Sequence, residues 1–209
     1  MVSGILIFLV ICLLNAALFF AAVSKGADYL YAENGVIENL QVLAIFVCGT
    51  LFVKTIFSIK KSHHKLIATG CAWLCLTFIL REVDVEDFDI PQIFIFLGSG
   101  TGRNLMLLAG WITIFTLFYR QFSAFKGQLS RYFMSYTGRF FMLAAGFLLL
   151  GDAFDHRWID VPFYQFYEEL SELNGYFSMV VGALVARYSF EQIERPVEAS
   201  QQGLVESTI

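Results

Sequence analysis

Apolar residues in this chain come in long unbroken runs, beginning with Gly4 to Val23, and the polar residues collect between them. Runs that do not alternate predict helices, because a half-buried strand or a membrane barrel would show a period of two. Six such segments are expected to span a bilayer, at about 3 to 23, 37 to 58, 66 to 83, 104 to 121, 139 to 156 and 169 to 189. The predicted fold is therefore all-α, a polytopic bundle of six transmembrane helices over residues 1–190. Residues 191–209 are polar, include Pro196 and lack an apolar period, so they are expected to form a disordered cytoplasmic tail. Ala22 and Ser24 have the spacing of a signal-cleavage site, but the first run lacks a basic leader and is long for a signal, which favours a retained helix.

Composition agrees with the pattern. Hydrophobic residues make up 57% of the chain and charged residues 15%, with a mean hydropathy of +0.65, which points to a multi-pass membrane protein of the inner (plasma) membrane, in contact with lipid. Charge then sets the orientation. With the N-terminus inside, the cytoplasmic side holds ten basic residues against four acids, and the outer side four basic residues against fourteen acids. Both termini are thus expected to be cytoplasmic, as the positive-inside rule requires.

The fifth segment is too short. Between Arg139 and Asp152 lie twelve uncharged residues, which as a helix cover about 18 Å of the roughly 30 Å of bilayer hydrocarbon. Asp152, Asp155 and His156 are then expected to sit below the outer surface, where ionisable groups face a bundle interior or a wet cavity. Helical spacing adds further stripes on the same side: Asn34, Glu38 and Gln41 entering the second segment, and Glu168 or Glu169 with Glu172 in the sixth. Arg81 and Glu82 close the third.

Arg81 is the natural counter-ion of such a cluster, and a purely structural network locking the helices together is the plainer reading. The count favours more. Glu38, Glu82, Asp152, Asp155, Glu168, Glu169 and Glu172 outnumber Arg81 and Arg157, so protons or a cation are needed. Glu38, Glu82, Asp152, Asp155 and His156, with an amide oxygen from Asn34 or Asn174, form a hard donor set suited to Ca²⁺, Mg²⁺ or Mn²⁺. His63 and His64 fall in the basic stretch KKSHHK on the other side and read as part of an anion-facing loop.

GSGTGRN, Gly98 to Asn104, offers backbone amides beside Arg103 to a phosphate or lipid headgroup; the plainer reading is a turn capped by Thr101. IPQIFIFLG and WIDVPFYQFY are too short to cross and are expected to lie in the outer interface. Cys12, Cys48, Cys71 and Cys75 all fall within spans and read as small packing residues. No zinc-protease, di-iron, serine-elbow, P-loop or nucleic-acid signature occurs.

The motifs ENGVIE at Glu33 to Glu38, REVD at Arg81 to Asp84 and EELSEL at Glu168 to Leu173 resemble those of bacterial multi-pass inner-membrane proteins of unassigned activity. Asp28, Glu33, Asn34 and Glu38 are also similar to the calcium-binding segment of alkaline ceramidase-type membrane hydrolases. The chain lacks that family's H-x-x-x-H zinc pair, which argues against ceramidase chemistry.

Three functions are consistent with these residues. The first is cation binding or proton relay, with Asn34, Glu38, Gln41, Arg81, Glu168, Glu172 and Arg103 lining or flanking the site. The second is a metal-assisted hydrolase or transferase acting on a lipid-type substrate at the outer leaflet, with His156, Glu82 or Asp152 as the acid–base group. The third is an assembly partner whose outer acids, Asp84, Glu86, Asp87 and Asp89, dock a basic protein.

Overall fold

The computed structural model describes residues 2–24, 26–32, 35–83, 85–87 and 89–194, and these form helices and connecting turns without a strand. In order they are α1 (Val2–Phe19), α2 (Val36–Ser58), α3 (Ser62–Glu82), α4 (Gln92–Gly98), α5 (Gly100–Arg120), α6 (Phe122–Phe125), α7 (Leu129–Met134), α8 (Tyr136–Asp155), α9 (Tyr164–Leu184) and α10 (186–194). The expected spans fall mostly on helix; the sixth, 169 to 189, is broken by a turn at Val185 between α9 and α10, and the first continues past α1 as a π-helical turn, Phe20–Ser24. Four of them, α2, α3, α5 and α8, are long and apolar enough to cross a membrane. The outward stripe of α5, Leu105, Leu108, Ile112 and Phe115, recurs every three to four residues and is more than half exposed, as a lipid-facing surface would be.

The chain divides into two compact units, residues 1–44 with 143–178, and residues 45–142 with 179–209. In the first, Leu18, Ala22, Leu30, Ile37, Phe166 and Leu173 form the core, and Phe166 meets the rings of Phe19 and Tyr31 at 6.2 and 5.8 Å. A closed amide pair ties α1 to α9. Asn15 Nδ2 donates to Asn174 Oδ1 at 3.0 Å, Asn174 Nδ2 returns a bond to Asn15 Oδ1 at 2.7 Å, and the spare hydrogens go to the carbonyls of Ile11 and Leu170 one turn back. Every donor of both amides is satisfied within protein, which an apolar surrounding demands.

In the second unit, α3 and α5 lie side by side, with the Trp73 indole over Gly110, and Phe52 of α2 meets Phe141 of α8 edge-on at 5.6 Å. The start of α8 is fixed by Thr137, whose hydroxyl is bonded to the Gly182 carbonyl at 2.9 Å and to Ser189 Oγ at 3.0 Å. α10 carries Ala186, Ser189, Phe190 and Ile193 on one buried face. Residues 191–194 of the expected tail are thus helical, and 195–209 lie outside the described residues.

The glycines of GSGTGRN serve close packing. Gly98 sits against Val85 and Gly102 against the Phe96 carbonyl, where a side chain would collide, and Gly100, with open space around it, takes φ +51°, which lets the chain turn from α4 into α5. The helix begins earlier than the turn reading implies: Ser99 is the residue before α5, and Thr101 lies within its first turn and is not the cap.

If the Asn15–Asn174 pair locks α1 to α9, Asn15→Leu lowers stability in detergent by about 1 kcal/mol, since interhelical polar pairs in membranes contribute about 0.6 and up to about 1.7. Asn15→Leu with Asn174→Leu then costs less than the two single changes added together, because neither leaves an orphaned amide. Reversible unfolding of the four proteins measures the coupling.

Candidate functional site

The head of α2 turns Ile37 and Gln41 into the first unit, where both are fully buried, and Glu38 is partly buried beside them. Gln41 Nε2 donates to the backbone carbonyl of Glu169 at 2.9 Å and to its Oε2 at 2.7 Å. The backbone carbonyl can only accept, so the amide takes this orientation. Gln41 Oε1 then points into the bundle, buried and without a hydrogen-bond partner. Glu38, Glu168 and Glu172 stand close enough for their charges to act on Glu169. Gly151 lets α9 approach α8 here, since a Cβ on it would lie 2.9 Å from Glu172 Cγ. Gln41 thus leaves a buried acceptor on the side chain that binds Glu169, whose carboxyl feels the charges of Glu38, Glu168 and Glu172.

The remaining predicted residues are arranged otherwise. Asp152, Asp155 and His156 are exposed by 53 to 60% of their side chains, and His156 Nδ1 lies 3.0 Å from the Asp152 carbonyl, 3.4 Å from Asp152 Oδ1 and 3.7 Å from Asp155 Oδ2. They form a local helix-end set. Arg81 belongs to the second unit and holds Glu82 through Nε at 2.8 Å and Nη2 at 2.7 Å. Arg103 donates Nη1 to the Leu80 carbonyl at 2.7 Å, closing the C-terminal turn of α3, where a cation also meets the negative helix end. Asn174 is bound to Asn15, which removes it from the expected donor set, and Asn34 lies outside the described residues. Asp28 accepts a 2.6 Å bond from Tyr31 Oη; that bond, then burial, raises the Tyr31 pKa. Arg157 is occupied by Tyr164, to whose hydroxyl Nη2 donates at 3.0 Å.

A second polar centre lies in the other unit. His63 and His64 sit in the first turn of α3, not in an open loop, and Glu194 at the end of α10 meets them. His64 is 1% exposed, stacked on Phe190 at 5.0 Å, with Nδ1 2.6 Å from Tyr132 Oη and Nε2 2.7 Å from Glu194 Oε1. Lys61 Nζ lies 3.2 Å from the same carboxylate oxygen. Burial, and then the charge of Glu194, raise the Tyr132 pKa. Glu194 is far from His64 along the chain, and the signal that could have joined them is the apolar spacing Ala186, Phe190, Ile193, which carries the helix past the expected boundary.

Comparison with known proteins gives no match to any family model, curated protein or solved structure. The functional reading therefore stands on the geometry of these two centres.

Tyr132→Phe removes the partner of a buried imidazole nitrogen. It is expected to destabilise the protein by about 1 to 2 kcal/mol, the usual cost of one unsatisfied buried polar atom, seen as a lower unfolding midpoint with an unchanged helical spectrum.

Proposed function

We propose that this chain is a six-span inner-membrane protein, with both ends of the bundle cytoplasmic, whose outward-facing carboxylate cluster binds a cation or relays protons. The excess of acid on one side and of base on the other supports the orientation. The observation that carries the function is Gln41 Oε1. A buried acceptor on the side chain bonded to Glu169, whose carboxyl feels the charges of Glu38, Glu168 and Glu172, is satisfied by an ion or by a proton carried on a neighbouring carboxyl, and both serve the same physical need. Oxygen ligands of this kind suit Ca²⁺, Mg²⁺ or Mn²⁺.

The lipid hydrolase has less support. His156, its proposed base, is exposed and held against its own helix, and the hard ligand set contains no second imidazole. The docking reading rests on Asp84, which lies outside the described residues, on Asp87 and on the exposed Glu86 and Asp89.

Saturating Ca²⁺, Mg²⁺ or Mn²⁺ is expected to stabilise detergent-purified protein by about 2.7 kcal/mol at a hundredfold excess over Kd, or several degrees in unfolding midpoint. Gln41→Leu and Glu169→Gln are expected to remove that response. If no cation shifts the wild-type midpoint, and proteoliposomes show no proton flux that Glu169→Gln abolishes, the proposal fails.

A further inference from the structure

We infer that His63, His64 and Glu194 form a binding site for one divalent transition-metal ion of the zinc type, separate from the carboxylate cluster and independent of its function. One ligand atom from each of the three lies within 4.8 Å of the others. Proximity alone would not require a metal. The hydrogen-bond pattern points to one. His64 Nε2 and Glu194 Oε1 approach to 2.7 Å and both atoms are buried, yet neither makes a well-aligned hydrogen bond. Placing the imidazole proton on Nδ1, where Tyr132 Oη accepts it at 2.6 Å, leaves the Nε2 lone pair facing the carboxylate. Two acceptors then converge on one spot, as they do on a metal. Metal-binding imidazoles characteristically donate their other N–H to a fixed second group, the position Tyr132 occupies.

The surroundings hold the ligands in place. Phe190 stacks on His64, Phe125 meets His63 edge-on at 6.0 Å, and the two imidazole centroids are 4.3 Å apart, so neighbouring residues of one helix bring both rings to a common point. Two imidazoles and a carboxylate are the donor set of zinc-type ions, and too nitrogen-rich for calcium or magnesium. A cavity of about 330 Å³, lined in part by Lys61, His64, Arg187 and Glu194, leaves room for a water as fourth ligand. Lys61 is the internal competitor: its ammonium shares the Glu194 oxygen and must yield when the ion arrives.

The test uses tag-free, full-length protein in detergent, stripped by a chelator and titrated with Zn²⁺ against a chromophoric competitor, with elemental analysis after desalting. One zinc per chain is expected. His63→Ala and Glu194→Gln should each weaken binding by about 100-fold and Tyr132→Phe by about 10-fold, whereas Lys61→Met should bind at least as tightly as wild type. His63 is only half-buried, so His63→Ala keeps the test valid should changes at His64 prevent folding; its metal-free elution profile and unfolding midpoint should match wild type. Folded wild-type protein that retains no zinc overturns the assignment. So does unchanged affinity in both His63→Ala and Glu194→Gln, or loss of binding in Lys61→Met.

Discussion

A polar side chain inside a bundle of this composition has no water to fall back on, and that constraint governs where the helices meet. Asn15 and Asn174 answer it by closing on each other, with their spare hydrogens on the preceding turns. Thr137 answers it with Gly182 and Ser189, and Arg103 with the end of α3. Each pairing fixes a contact that dispersion between similar apolar surfaces would leave free to slide, since lipid tails and leucine side chains are nearly equivalent neighbours. Glycine supplies the complement, letting α4 return onto α5 and α9 approach α8 at Gly151.

Where the pairing is incomplete, chemistry becomes available. Gln41 gives both its bonds to Glu169 and is left with a buried acceptor that has no donor. His64 and Glu194 bring a ring nitrogen and an oxygen together without a bond between them. Both centres hold a buried polar atom without a hydrogen-bond partner, but they differ in softness. The first is all oxygen; the second is rich in nitrogen, so each selects a different kind of ion.

The apolar runs were legible because continuous hydrophobicity over helical length has few other solutions in a bilayer. The α2 stripe was legible for the same geometric reason: Glu38 and Gln41 share a face by spacing alone, as do Glu169 and Glu172. Pairings between distant segments left no such trace. Nothing near Asn174 in sequence names Asn15 as its partner, so by sequence alone Asn174 looks like an open ligand. Glu194 looks like tail in sequence because its helix is short and polar on one face, although Phe190 and Ile193 are buried on the other. Arg103 looked like an anion ligand beside a glycine-rich turn; its actual partner, the Leu80 carbonyl, is a backbone atom that side-chain patterns do not reveal.

The central claim is that Gln41 Oε1 faces a site filled by a cation or a proton. Selective ¹⁵N labelling of glutamine side chains, with the Gln41 signal assigned by its loss in Gln41→Leu, reports on that amide directly. The account predicts that the Gln41 resonance moves with added divalent cation or with pH, and that Glu169→Gln suppresses the movement. A Gln41 signal that ignores both, in folded wild-type protein, would contradict it.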